Sequence, residues 1–185
     1  MHKTWERLLR RAGLPLAYSQ GFHPQPKIHL AAALPLGFTS ECEIVDVWLT
    51  EAVGVESAMA ELHRATSPGI EIKSVRDVAE ALPALQTLVR SADYVATVPG
   101  DVSGLDQRVA ELLSAATLPR ERRGKVYDLR PLIESLSLEG NVVRMRLAAR
   151  DAATGRPEEV LAALGLEDRQ VAVHRTALHF IDNAG

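Results

Sequence analysis

Apolar residues along this chain switch between the two-residue repeat of a strand and the roughly 3.6-residue repeat of a helix. They do so in nearly the same order twice, and that recurrence restricts the fold more than any single residue does. In the second half the order is strand Ala92–Val98, helix Ser103–Ala116, strand Lys125–Ile133, strand Asn141–Ala149, helix Arg156–Leu164 and strand Gln170–Phe180. The first half runs helix Thr4–Ala12, strand Lys27–Ala33, strand Glu41–Thr50, helix Gly54–Ala65 and strand Ile70–Val78, the same order without its opening strand. The economical reading is an α+β fold of two tandem ferredoxin-like (βαββαβ) units, 1–80 and 92–185, joined by a linker over 81–91 that contains Pro83. In that topology the first strand lies inside the sheet, so its absence leaves neighbouring backbone groups unpaired. The chain therefore reads as truncated at its start, or as completed by something else.

Local signals support these elements. Trp5, Leu8, Leu9 and Ala12 form one helical stripe, Gly13 is a natural stop and Pro15 prevents the helix from resuming. Ser103 is a candidate N-cap with Asp106 three residues on, and Pro157 suits the first turn of its helix. Glu41–Thr50 is apolar on both faces and is expected to be covered on both.

Composition removes several kinds of chemistry. Cys42 is the only cysteine, so the chain can form neither an internal disulfide, nor an iron–sulfur cluster on three or four of its own thiolates, nor a four-cysteine zinc site. Aromatics are 4%, which makes the core aliphatic. No run approaches the roughly 20 apolar residues of a membrane span, and no signal-peptide layout opens the chain; a soluble cytoplasmic protein is the expectation.

Net charge is −3, but the charges are segregated. Residues 1–40 carry Lys3, Arg7, Arg10, Arg11 and Lys27 against Glu6 alone. Residues 120–130 carry Arg120, Arg122, Arg123, Lys125 and Arg130 against Glu121 and Asp128, whereas 41–119 holds 13 acids against five bases. The first island adjoins the loop Ser19–Pro26, which combines Tyr18, Ser19, Gln20, Phe22, His23 and Gln25 with Lys27 and His29. Cations for phosphate, aromatic faces for bases and amides for base edges are the mixture a single-stranded RNA site requires. The candidate substrate-binding residues are Arg10, Arg11, Tyr18, Ser19, Gln20, Phe22, His23, Lys27, Arg122, Arg123, Lys125 and Arg130. Both islands fall between the first helix and second strand of their units, so the expectation is that they line a common groove.

Other chemistry-bearing residues read as structural. His23 and His29 match no strong metal spacing, and His174 and His179 fall on opposite faces of one strand, so no metal site is expected. Cys42 reads as a small buried side chain, Asp46 as the partner of an arginine or a ligand contact, and Asp128 with Arg130 as a local pair. No glycine-rich phosphate loop and no Ser-His-Asp arrangement is present, so no residue is assigned to catalysis.

The string Leu-Arg-Arg-Ala-Gly-Leu-Pro-Leu-Ala-Tyr-Ser-Gln-Gly-Phe-His-Pro-Gln-Pro-Lys-Ile at Leu9–Ile28 is distinctive, as is Ala33-Leu-Pro-Leu-Gly37 before Glu41–Thr50. With Leu82-Pro-Ala-Leu85, Ala92-Asp-Tyr94, Tyr127-Asp-Leu-Arg-Pro-Leu132, Arg156-Pro-Glu-Glu-Val160 and Arg175-Thr176, the set resembles the bacterial radical-SAM-linked family, a domain of unknown function. Members usually open with a strand and a Ser-His-Leu-Asp segment that this chain lacks. The resemblance implies an accessory domain found beside, or fused to, a radical S-adenosylmethionine protein with a cobalamin-type domain. Any iron–sulfur cluster and S-adenosylmethionine are then expected only in that partner, and this chain needs no cofactor. The expected function is non-catalytic: binding RNA or another anionic substrate for the radical enzyme. The alternative is a protein-interaction scaffold of the same enzyme without nucleic-acid binding.

Overall fold

The computed structural model describes residues 2–79, 82–122, 124–150 and 153–181. It is a mixed α+β structure in which the chain divides into two compact units, Met1–Ala33 with Ile44–Gln86, and Leu34–Glu43 with Thr87–Gly185. No helix among the described residues is long and apolar enough to cross a membrane.

In the first unit, helix α1 (His2–Arg11) buries Leu8 and Leu9 and ends where Gly13 takes a left-handed conformation, φ 69°. Strand β1 (Ile28–Leu30) follows the proline-rich loop. The chain then contributes β2 (Thr39–Ser40) to the second unit and returns as β3 (Val45–Val47), antiparallel to β1 with Ile28 opposite Val47 and His29 opposite Asp46. Helix α2 (Val55–Ala65) completes the unit. Because side chains alternate along a strand, Ile28, Val45 and Val47 face Leu8, Leu9, Leu62 and Ile72 in one aliphatic core, while His29 and Asp46 share the other face.

Two expectations are corrected here. Glu41–Thr50 is not one strand: its first residues accompany β2 into the second unit, and only Val45–Val47 pairs within the first. Ile70–Val78 forms no strand either. Ile72 is buried and Ile70 and Val75 pack on the core, but the segment is held by the His63 ring, whose Nε2 lies 2.9 Å from the Ile72 carbonyl, rather than by a ladder. Its alternation reports half-burial, which does not require a neighbouring strand.

The chain passes from the first unit to the second within the four-residue helix α3 (Leu85–Leu88), in the stretch expected to be linker, and enters β4 (Val89–Thr97). It continues through α4 (Leu105–Ser114), a hairpin of β5 (Pro119–Arg122) and β6 (Lys125–Asp128), a 3-10 turn at Arg130–Leu132, β7 (Ile133–Glu139), β8 (Val142–Arg150), the short β9 (Ala153–Thr154), α5 (Pro157–Ala163) and β10 (Ala172–Phe180). The sheet order is β2–β10–β4–β8–β7, with β9 paired to β8. Neighbours are antiparallel except for β2, which runs parallel to β10. Leu105, Val109 and Leu112 of α4 and Val160 and Leu161 of α5 bury one face of this sheet against Ala92, Tyr94, Ala96, Val143, Met145 and Leu147.

The second strand expected at Lys125–Ile133 is displaced. Lys125–Asp128 pairs only with β5, Leu129 drops fully into the core, and the sheet strand begins at Ile133. Ser103 is not an N-cap: its amide and hydroxyl both donate to Asp101 Oδ1, at 2.9 and 2.6 Å, and Gly104 precedes the helix with φ 71°.

Candidate nucleic-acid interface

The first basic island divides between two flanks of α1. Residues 17–27 form a hairpin, with Tyr18 bridged to Pro26 and the Ser19 amide donating to the Gln25 carbonyl at 2.8 Å. The Ser19 hydroxyl accepts from the Gln25 amide at 3.0 Å, so Ser19 closes the loop rather than facing a ligand. Beyond that clasp Gln20, Phe22 and His23 are exposed, and Phe22 is entirely so at 101% of its reference area. Gly21 permits the turn with φ 128°. Arg10 lies over the half-exposed Tyr18 ring, 5.8 Å from its centroid, and also pairs with Glu6 at 2.9 Å. Arg11 is 100° further round the helix and its Nη2 donates to Ser67 Oγ at 3.0 Å, so it does not join that group. Lys27 is exposed, and the His29 ring meets Trp48 edge-on at 4.7 Å. Trp48, which the sequence reading left out, is thus an aromatic beside the loop. Asp46 lies opposite His29 and, among the described residues, makes no ion pair with an arginine.

The second island is a hairpin face. Register places Arg120 opposite Tyr127 and Arg122 opposite Lys125, and the two-residue repeat puts all four on one side. Arg123 lies outside the described residues. Among the described residues Arg122 and Lys125 have no carboxylate partner, and Arg120 reaches only the Pro119 carbonyl at 2.9 Å. Burial pushes the Tyr127 hydroxyl above its ordinary pKa, helped by the Glu159 charge and opposed by Arg156, Arg122 and Arg120. The phenol therefore stays protonated at neutral pH, and its ring is half-buried against the core of the second unit.

Arg130 stands apart from this face. Its guanidinium donates to the Leu113 carbonyl at 3.0 and 3.3 Å and to the Ile133 carbonyl at 3.3 Å, so it closes the C-terminal end of α4. Asp128 and Arg130 do join locally, but through the backbone and not the guanidinium: Asp128 Oδ1 accepts from the Leu118 and Arg130 amides at 2.7 and 3.0 Å.

Three polar arrangements in this unit, two of them ionic, were not foreseen. On the sheet face away from the helices, Asp93 takes both oxygens to Arg146, at 2.7 and 2.9 Å, with His179 Nε2 at 2.9 Å. The Arg146 hydrogen bonds, the largest influence, together with the nearby His179 outweigh partial burial and hold the Asp93 carboxyl below its ordinary range. In the interior Arg175, 1% exposed, pairs with Glu43 at 2.8 Å and lies over the Tyr94 ring at 5.5 Å. Near the crossing strand, His174 Nδ1 is 2.8 Å from Thr39 Oγ1. A register shift between Arg175 and Ala177 places His174 opposite Val95 and His179 opposite Ser91, hence on one face rather than two. They remain four strand positions apart, about 13 Å, and no group of three metal-ligating side chains occurs among the described residues. Cys42 is half-buried beside Ser40, and burial raises its thiol above the ordinary value, so it is not a thiolate.

These features define an α+β protein of two compact units, each with a hairpin that carries cations and an aromatic. Residues 1–157 match the family described as uncharacterized protein conserved in bacteria (DUF2344), and the chain belongs to that family. None of the curated proteins matches it.

Proposed function

We propose that the chain is a non-catalytic accessory module of a radical SAM enzyme, binding RNA or another anionic substrate through its exposed hairpins. The observation that carries this reading is the β5–β6 face, where Arg122 and Lys125 stand opposite each other beside Arg120 and Tyr127 and neither forms an ion pair with a carboxylate among the described residues, the Glu159 charge being felt at Tyr127. Like charges directly opposite in a ladder cost stability, and a polyanion relieves that cost. The Phe22 hairpin, with Tyr18, Gln20, His23 and Lys27, adds a stacking group and further donors on the first unit. The radical SAM partner, which would hold the iron–sulfur cluster and S-adenosylmethionine, is inferred from the resemblance of Leu9–Ile28 and the other strings named above. A ferredoxin-like second unit is supported by the order of its long strands, fourth–first–third–second; for the first unit the support is its helix–strand–strand–helix order.

The test is fluorescence anisotropy of a short single-stranded RNA at rising salt. Affinity should fall steeply, and Arg122→Ala with Lys125→Ala should reduce the log–log salt slope by about 1.4, at about 0.7 per lost phosphate contact. Binding that ignores salt, or ignores that pair of substitutions, sinks the RNA reading. Co-purification with the radical enzyme that survives nuclease and the same substitutions favours the scaffold instead.

A further inference from the structure

Helix α1 carries a second cationic surface, separate from the Arg10–Tyr18 side. Thr4, Arg7 and Arg11 follow one another at three and four residues, so they form a single stripe along the helix. With Ser67 they line an open groove of about 450 Å³, within the range of small-molecule sites. Ser67 is placed by the turn after α2, where its carbonyl accepts from the Ile70 amide at 3.1 Å, Pro68 restricts the backbone and Gly69 adopts φ 87°. Arg11, an exposed residue, donates from Nη2 to the Ser67 hydroxyl at 3.0 Å, which sets that guanidinium beside the groove. The only acidic residue of α1, Glu6, pairs with Arg10 on the other flank. Two guanidinium groups one turn apart are therefore left without a carboxylate among the described residues, and like charges at that spacing are mutually destabilising.

The donor set indicates what would neutralise it. A carboxylate is planar, has two oxygens and is satisfied by one guanidinium fork. Two guanidinium groups and two hydroxyls offer more donors than that, spread around one groove, and match a tetrahedral oxyanion with three terminal oxygens. We propose that the groove of Thr4, Arg7, Arg11 and Ser67 binds a phosphate monoester group, free or at the end of a nucleic acid. For its occupant the proposal rests on the anionic-substrate reading above, and it adds that the 5′ or 3′ terminus is held on α1 rather than on the β5–β6 hairpin.

Two measurements on the whole chain separate the possibilities. In an NMR titration with inorganic phosphate, the amides of Thr4, Arg7, Arg11 and Ser67 should shift, and Arg7→Gln with Arg11→Gln should abolish those shifts. In anisotropy, a terminally phosphorylated single-stranded RNA should bind about tenfold more tightly than its hydroxyl-ended counterpart, the scale of one charge-assisted hydrogen bond. The double substitution should remove that tenfold gain, so that the two RNAs bind that variant with equal affinity. Equal affinity of the two RNAs, or phosphate shifts absent from the groove of the wild-type chain, overturns the proposal without touching the hairpin reading. If neither RNA binds, the RNA reading falls, and persistent phosphate shifts in the groove then support a free phosphate monoester as its ligand.

Discussion

Arg175 and Arg122 belong to the same unit and differ in what surrounds the guanidinium. In the sheet, Arg175 is enclosed with Glu43 and Tyr94, and Arg146 is clamped to Asp93 with both nitrogens directed at its carboxylate. On the β5–β6 hairpin, Arg122 and Lys125 face each other with no acid among the described residues. A buried guanidinium must be paired because desolvation is otherwise prohibitive, whereas an exposed one can wait for a partner from solution. The difference teaches that the arginines of this unit divide by neighbour, not by number: some are enclosed with a carboxylate, and others have no ion pair among the described residues.

The sharpest way to break this comparison is to remove the carboxylate beside the buried guanidinium. Glu43→Gln should cost about 3–5 kcal/mol of unfolding free energy, read by chemical denaturation. Glu43→Leu combined with Arg175→Met should recover much of that loss, because a well-packed apolar pair lacks the desolvation penalty. A single substitution costing no more than a surface pair would show that the Arg175 environment is wetter than its 1% exposure implies.

Next in size is the Asp93 cluster, which is only partly buried. Asp93→Asn should cost about 1 kcal/mol, near the top of the range for solvent-screened pairs. Its pH signature has a definite sign. The carboxyl pKa is lower folded than unfolded, chiefly through its hydrogen bonds to Arg146, so the stabilisation is present above the unfolded value of about 3.9 and disappears as pH falls through the folded value. Denaturation midpoints of the natural chain should therefore decline on acidification below about pH 4, and the decline should be shallower in Asp93→Asn. Parallel acid profiles would detach Asp93 from the stability of the sheet.

Why these pairs escaped a reading of the sequence is a matter of distance along the chain. Local rules served well where the decisive partners are local: the α1 stripe of Trp5, Leu8 and Leu9, the stop at Gly13, and Pro157 at the start of α5 all emerged as written. They failed where an alternating stretch needed a remote neighbour. Ile70–Val78 has strand-like alternation and no adjoining edge, Lys125–Asp128 found β5 instead of β8, and Glu41–Thr50 crosses from one unit to the other. The site suffered similarly. Ser19 and Arg130 are polar and looked available, but backbone groups occupy them, and one residue of helix separates Arg10 from Arg11 onto different flanks. A carboxylate at Asp93, between Ala92 and Tyr94 in the middle of β4, is the one local sign of the ionic cluster. Its partners Arg146 and His179 lie 53 and 86 residues away, and the register shift that turns His179 toward it follows from no local rule.

The smallest expected effect tests the hairpin side of the comparison most directly, because stability and binding should move in opposite directions. Arg122 and Lys125 are directly opposite in register, and a like-charge pair there is repulsive where an opposite-charge pair would attract. Lys125→Glu should therefore raise stability by about 0.5 kcal/mol, at the low end of cross-strand pair energies, which is a rise in Tm of about 1–2 °C for a chain of this size. On the RNA proposal, the same substitution should weaken binding of single-stranded RNA and lower its salt dependence, since it deletes one cation of the proposed site and introduces a repulsive carboxylate. If Tm and affinity rise together, Lys125 contributes nothing to an anion site and the repulsion on this hairpin has another cause. Opposed movement would mean that the unit tolerates a local electrostatic cost at the position where the ligand is expected to remove it.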